Sequence, residues 1–146
     1  MTPIILPAIL PTILIVEDTD ECRETLEMSL SKISGVIVRS VATAEEALAH
    51  AATECICALV TDLGLPRMNG FELIENFRSQ SAYSELPVLV VSGETGLQTR
   101  ERVTAAGANA FLTKPFSPCQ VRSEIIRLMD AAKRVPFPGP LLEDSF

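Results

Sequence analysis

The sequence predicts an α/β fold in which a parallel five-stranded sheet is covered by helices on both faces. Apolar, β-rich runs alternate with helical patterns five times along the chain. Four of the runs are almost continuously apolar, which is typical of strands buried on both faces. The connections are short, and such a (βα)₅ alternation favours one open sheet. A length of 146 residues suits a single domain of this kind.

The strands and helices can be placed from apolar runs, helical spacing and capping residues. The predicted strands are Ile13–Val16, Val36–Val41, Ile56–Thr61, Pro87–Val91 and Ala110–Thr113. The apolar helical positions are Cys22, Leu26, Leu30 and Ile33 in the first helix, Phe71, Ile74 and Phe77 in the third, and Val121, Ile125, Leu128 and Ala132 in the fifth.

Four helix ends carry recognisable capping signals. Thr43 followed by Glu46 predicts a capping box at the start of the second helix. The third helix opens at Asn69, and the fourth ends at Gly107, a suitable C-terminal cap. Ser117-Pro118 offers an N-cap followed by proline at the first helical position of the fifth helix.

The domain is expected to run from residue 12 to residue 134, with an extension at 1–11 and a tail at 135–146. The extension is apolar, but it has no basic start, three prolines interrupt it, and it is too short to cross a membrane. We therefore expect an arm, a lid or a dimer contact rather than an export signal. The tail is too short for a second domain, so we expect no DNA-binding or enzymatic output module in this chain.

Charge and cysteine content exclude several function classes. A net charge of −7 argues against non-specific binding to nucleic acid. The charge is unevenly distributed along the chain. Residues from Glu17 to Glu27 include six acids and one arginine, whereas residues from Gln98 to Arg134 include seven bases and three acids. Such a dipolar charge distribution can steer partners. The four cysteines form no Cys-x-x-Cys pair, and His50 is the single histidine, so zinc is not expected. Cysteines that serve as small core residues favour a reducing compartment, and we predict a cytoplasmic location with no membrane attachment.

Polar side chains suited to binding or transferring a phosphoryl group lie at four of the five predicted strand ends. They are Glu17-Asp18, Asp62, Ser92 and Lys114. Open α/β sheets bind ligands beyond the carboxyl ends of their strands, so these groups should share one crevice. Three carboxylates repel one another without a cation, and all-oxygen ligands favour Mg²⁺. An aspartate beside such a metal can become an aspartyl phosphate, with a lysine neutralising the phosphate charge.

The predicted crevice is geometrically feasible if the strand order is 2-1-3-4-5. Strands 1 and 3 are then neighbours, which brings Glu17 and Asp18 beside Asp62. Strand 5 lies two strands from strand 3, roughly 10 Å away. The side chain of Lys114 spans much of that distance.

Four segments of the chain, in this order, resemble the response-regulator receiver family of two-component signalling. They are Ile13–Asp18, Val60–Gly70, Val90–Gly93 and Gly107–Phe116. The resemblance extends from about residue 12 to residue 134. It implies a CheY-like, flavodoxin-like (βα)₅ three-layer sandwich whose five parallel strands have the order 2-1-3-4-5.

The resemblance also implies a role for each site residue. Asp62 resembles the phosphoacceptor. Glu17 and Asp18 resemble the acidic pair that holds Mg²⁺ together with Asp62 and the backbone carbonyl of Gly64.

The remaining family roles fall on strands 4 and 5. Ser92 matches the switch hydroxyl, Lys114 the lysine that meets the phosphoryl group, and Phe111 the aromatic switch that moves inward. The family also has a cis peptide before the proline at Pro115. This chain departs from the common pattern by having Glu17 where Asp is also frequent, and a phenylalanine that lacks the hydroxyl of tyrosine.

The function implied is a phosphorylation-dependent switch. A sensor histidine kinase or a histidine phosphotransfer protein would donate a phosphoryl group to Asp62 in a Mg²⁺-dependent reaction. The face formed by helix 4, strand 5 and helix 5 would then change its binding of a downstream protein. The chain would be no enzyme beyond self-phosphotransfer and autodephosphorylation. A homodimer is left open.

Three other functions are compatible with parts of the pattern. The chain could be a pseudo-receiver that binds partners without phosphorylation, although no acid or lysine of the site is missing. It could be one receiver of a hybrid kinase or larger regulator. A dehalogenase-type phosphatase also uses an aspartyl nucleophile and Mg²⁺, and Glu17–Asp20 has a superficial likeness to its Asp-x-Asp motif.

Overall fold

The computed structural model describes residues 10–94 and 96–134, without the side chains of 133 and 134. Strands and helices alternate through this part of the chain, with one short 3₁₀ helix at Ser81–Tyr83. The strands are β1 Thr12–Val16, β2 Ile37–Val41, β3 Ile56–Thr61, β4 Val88–Ser92 and β5 Ala110–Thr113. The helices are α1 Asp20–Leu30, α2 Ala44–Ala51, α3 Gly70–Ser79, α4 Leu97–Ala106 and α5 Pro118–Arg134.

The five strands form one parallel sheet in the order β2-β1-β3-β4-β5, which confirms the predicted fold class. Strands β1 and β3 are direct neighbours, with Val16 opposite Thr61. The chain order reverses at this point, so a crevice opens where β1 and β3 end. Glu17, Asp18 and Asp62 of the predicted site directly follow these two strands.

Helices cover both faces of the sheet, which gives three layers. Alternate residues of each central strand point into different cores, so the strands are apolar throughout. On one face α2, α3 and α4 pack over a core that includes Leu14, Leu59, Ile74, Phe77, Val90 and Val103. On the other face α1 and α5 pack over a core that includes Ile13, Leu26, Val60, Leu89, Val121 and Ile125.

Helix capping follows the predictions at three ends and departs from them at one. Gly107 ends α4 with a left-handed φ of 110°, and Asn69 forms a complete capping box at α3. The amide of Gln120 donates to the Ser117 hydroxyl at 3.0 Å. At α2, Thr43 accepts from the amide of Glu46 as predicted. The Glu46 carboxylate, however, accepts from the backbone of Ala42, so the box is not reciprocal.

The bounds of β3 and β5 are those predicted, while other elements differ from their predicted bounds by a residue or more. β4 begins at Val88 because Pro87 has no amide to donate, although its carbonyl accepts from Leu59. Ile33 packs on the core from beyond the end of α1, which stops at Leu30. Ala132 is exposed, so the buried stripe of α5 ends before it.

Several predictions concern residues outside the described part of the chain. The extension is described only from residue 10, and the tail at 135–146 is not described. The proposed domain boundaries at 12 and 134 therefore stay predictions. Within the described residues, no helix combines the length and the apolar character needed to cross a membrane.

Candidate functional site

Three carboxylates meet where β1 and β3 end. Glu17 and Asp18 directly follow β1, and Asp62 directly follows β3. One oxygen from each of the three lies within 4.8 Å of the others. The amide of Asp62 donates to the carbonyl of Val16 at 3.1 Å, which continues the β1–β3 pairing into the site. Sheet pairing therefore brings the acids together across 44 residues of sequence.

Burial differs strongly among the three acids. The Glu17 side chain is 1% exposed and that of Asp62 is 14% exposed, while Asp18 is an exposed residue. Backbone amides stabilise the two covered carboxylates: Thr19 donates to Glu17 Oε2 at 3.1 Å and Leu63 donates to Asp62 Oδ1 at 2.7 Å. Within the described residues, the Asp18 carboxylate accepts no hydrogen bond, so its oxygens are available to a ligand.

Lys114 enters the crevice from the end of β5 and joins two of the acids. Its Nζ donates to Glu17 Oε1 at 2.8 Å and to Asp62 Oδ2 at 3.1 Å. The lysine backbone is fixed by its amide, which donates to the carbonyl of Ser92 at 2.9 Å. The peptide between Lys114 and Pro115 is cis, as the family resemblance implied.

The charge state of Lys114 follows from these contacts. Burial by itself lowers the pKa of the ammonium because it penalises the charged form. The hydrogen bonds to Glu17 and Asp62 outweigh that effect, and the net result is a pKa above the ordinary lysine value. Lys114 is therefore a permanent cation at neutral pH.

The donor set fits Mg²⁺. Three carboxylates face one ammonium, so the crevice has an excess of two negative charges. All donors are oxygens, which Mg²⁺ prefers, and Asp18 stays accessible to solvent. Gly64, whose carbonyl is the remaining ligand that the family resemblance implies, is exposed.

Ser92 and Phe111 occupy neighbouring strands beside this crevice. Ser92 is the last residue of β4 and is 2% exposed. Its hydroxyl accepts from the amide of Glu94 at 3.2 Å. Phe111 lies on β5, where it is half-buried and pairs in register with Val90 of β4. The structure thus brings Glu17, Asp18, Asp62 and Lys114 into direct proximity, with these two residues on the adjoining strands.

The structure adds a contact of Gly70 that the sequence analysis did not identify. A Cβ built at Gly70 would lie 2.2 Å from the carbonyl oxygen of Asp62 and 2.8 Å from the Cα of Leu63. The Gly70 amide donates to the carbonyl of Leu63 at 2.9 Å. The first residue of α3 therefore lies directly against the backbone of Asp62, and only glycine leaves that space free.

Cys22, which the sequence predicts only as an apolar helix position, is a second neighbour of the site. It faces the acids from α1, and burial, followed by the charge of Glu17, raises the pKa of its thiol to about 11. The thiol is therefore protonated at neutral pH. No sequence signal distinguishes this cysteine, because its position depends on the path of the β1–α1 loop.

Comparisons with known proteins identify the family. Residues 13–126 match the model of the response regulator receiver domain. This match covers most of the chain and includes every residue of the crevice. The chain belongs to the response regulator receiver domain family and has the CheY-like fold.

Individual relatives match this chain over very different shares of their own length. The chain is 29% identical over 117 residues to the chemotaxis protein CheY1 of Helicobacter pylori, covering 77% of this chain and 92% of that protein. The structure of the chemotaxis response regulator CheY4 of Vibrio cholerae superposes with a TM-score of 0.75 at 30% identity, covering 82% of this chain and 98% of the other. The hybrid signal transduction histidine kinase D of Dictyostelium discoideum is 28% identical over 127 residues, which is 87% of this chain and 8% of the kinase.

Proposed function

We propose that this chain accepts a phosphoryl group on Asp62 and thereby changes its affinity for a downstream protein. The single observation that carries the proposal is the meeting of Asp62 with Glu17, Asp18 and Lys114 in one crevice. A strand-end aspartate alone is commonly a turn residue. An aspartate beside two further acids and a lysine has the surroundings that phosphoryl transfer needs.

The chemistry assigned to Asp62 is a displacement at phosphorus. A carboxylate oxygen of Asp62 attacks the phosphorus of a phosphohistidine, and the P–N bond breaks with its electron pair remaining on the imidazole nitrogen. The product is an acyl phosphate on Asp62. Its carboxylate is held for this by the Leu63 amide, which donates to Oδ1 at 2.7 Å.

The neighbouring groups balance the charge that arrives with the phosphoryl group. Lys114 Nζ, 3.1 Å from Asp62 Oδ2, is close enough to transfer its hydrogen bond to a phosphoryl oxygen. Glu17, Asp18, Asp62 and the Gly64 carbonyl are the groups that would hold Mg²⁺. When bound, the ion would neutralise negative charge on the phosphoryl oxygens.

The proposed output is a population shift between two conformations. Ser92 would turn its hydroxyl toward the phosphoryl group, exchanging its hydrogen bond from the Glu94 amide for one to phosphate. Phe111 would then move inward. These changes would alter the face formed by α4, β5 and α5, where a downstream protein would bind.

The remaining parts of the proposal concern partners and setting. A sensor histidine kinase or a histidine phosphotransfer protein would be the donor, and the reaction would be limited to self-phosphotransfer and autodephosphorylation. A cytoplasmic location suits a chain whose four cysteines form no disulfide within the described residues. Similarity to a segment of a hybrid histidine kinase favours a second arrangement, in which this receiver works within a longer protein.

The proposal is tested by labelling the chain with a small phosphodonor such as acetyl phosphate, with and without Mg²⁺. Wild type should gain one acid-stable, base-labile phosphoryl group only when Mg²⁺ is present, and Asp62→Asn should gain none. Equal labelling of Asp62→Asn would reject the assignment. An unlabelled wild type would instead favour a pseudo-receiver, and steady turnover of a phosphomonoester would favour a phosphatase.

A further inference from the structure

Helix α4 is held to the rest of the domain by little apolar surface. Only Val103 and Ala106 of this helix are buried. Leu97 in its first turn is 73% exposed, and the N-cap residue is Gly96, which has no side chain to cap the helix. Other contacts must therefore contribute to the position of α4.

Two arginines of α4 supply such contacts by covering aromatic rings on both neighbouring elements. The guanidinium carbon of Arg100 lies 4.8 Å from the ring centre of Phe111 on β5. That of Arg102 lies 4.0 Å from the ring centre of Phe71 on α3. Both distances are within the range of a cation–π contact. Within the described residues neither guanidinium forms an ion pair, so each ring is the identified partner of its arginine.

The two rings are placed alike, since both are half-buried and pack against the same core. They differ in the proposed function, which assigns an inward movement to Phe111 of β5 alone. Arg100 contacts this ring from α4 in the half-buried position that the ring has here, so a movement of the ring changes that contact.

We propose that Arg100 is a positioning residue for Phe111, and that its cation–π contact stabilises the half-buried position of the ring before phosphorylation. This inference rests on the proposed function, since it concerns the equilibrium that phosphorylation shifts. A cation–π contact at an exposed site corresponds to about a two- to fivefold change in such an equilibrium. Loss of the Arg100 contact should therefore make the activated conformation easier to reach by that factor.

The test is a titration with beryllofluoride, a phosphoryl analogue, at fixed saturating Mg²⁺, followed by the amide NMR signals of the crevice. Arg100→Gln should lower the half-saturating concentration about two- to fivefold. Arg102→Gln is the matched control, because it removes an equal charge and a similar contact from the same helix. It should leave the half-saturating concentration within error of wild type.

The expected direction separates positioning from simple electrostatics. Removing a positive charge near an anion site weakens anion binding, so electrostatics alone would raise the half-saturating concentration for Arg100→Gln. Arg100→Lys keeps the charge but loses the planar stacking group, and it should fall between wild type and Arg100→Gln. In a Phe111→Leu background, the effect of Arg100→Gln should disappear.

Three results would overturn the proposal. These are an unchanged or raised half-saturating concentration for Arg100→Gln, an equal decrease for Arg102→Gln, and an undiminished effect in the Phe111→Leu background. Failure of the proposed function gives a different result, because wild type itself would then bind no beryllofluoride with Mg²⁺. That outcome would overturn both proposals together.

Discussion

Replacing Gly70 by alanine tests how the backbone of Asp62 is held. The new Cβ would lie 2.2 Å from the Asp62 carbonyl oxygen and 2.8 Å from the Leu63 Cα. Both atoms belong to the backbone, so no side-chain rotation relieves the collision, and α3 or the loop after β3 must move. The displaced loop carries the proposed phosphoacceptor, so stability and labelling should change together.

The size of the effect follows from two opposing terms. Overpacking against a fixed backbone destabilises by about 1–3 kcal/mol, and the closeness of this contact places it near the upper value. Alanine also restricts the unfolded chain more than glycine does, which stabilises by roughly 0.4–1 kcal/mol and offsets part of the loss. We expect the free energy of unfolding to fall by about 2 kcal/mol.

Urea denaturation measures this change, and Gly93→Ala is the matched control for stability. The control makes the same chemical change in a loop beside the site, where a built Cβ meets nothing within 4 Å. Its unfolding free energy should stay within about 0.5 kcal/mol of wild type. If Gly70→Ala is as stable as Gly93→Ala and labels at the wild-type rate, the close approach does not fix the loop, and the reasoning is refuted.

Three further predictions concern charged side chains. Lys114→Gln in EDTA should lower the unfolding free energy measured in urea by about 2–3 kcal/mol, which is less than the full loss of a buried pair because the lysine is partly exposed. Mg²⁺ should restore part of the lost stability, and an unchanged unfolding free energy would contradict the account. The hydrogen bond with His50 lowers the pKa of Glu54. The stability that this pair contributes is therefore present above roughly pH 4.3 and is lost as the pH falls through the folded-state pKa of Glu54. The urea midpoints of wild type and Glu54→Gln should converge as the pH is lowered. Arg78→Met removes two hydrogen bonds to the Gly107 carbonyl, of 3.0 and 2.7 Å, and should lower the unfolding free energy by about 2–3 kcal/mol; an unchanged urea midpoint would contradict this.

The sheet and the site could be predicted from sequence because strand ends carry the information. Continuous apolar runs located the strands, and the residues just after them gave Glu17, Asp18, Asp62 and Lys114. Parallel pairing brings the ends of β1 and β3 to the same edge of the sheet, so Glu17 and Asp18 lie close to Asp62 whatever path the loops take. Lys114 reaches Glu17 and Asp62 from the end of β5. Strand order itself needed the family resemblance, since apolar patterns do not state which strands are neighbours.

The contacts that could not be predicted depend on loop paths and side-chain rotamers. The approach of Gly70 to Asp62 is set by the turn after β3, where Arg67 adopts a left-handed φ of 61°. The stacking of Arg100 on Phe111 depends on rotamers of two residues eleven positions apart. Such contacts leave no periodic pattern in the sequence.

The most direct test of the central claim is to locate the phosphoryl group. Borohydride reduces an acyl phosphate on aspartate to homoserine, and peptide mass spectrometry then identifies the modified position. After treatment with acetyl phosphate and Mg²⁺, homoserine should appear at residue 62 and should be absent when EDTA replaces Mg²⁺. Homoserine at Asp18 instead, or none in a folded wild-type protein, would contradict the account.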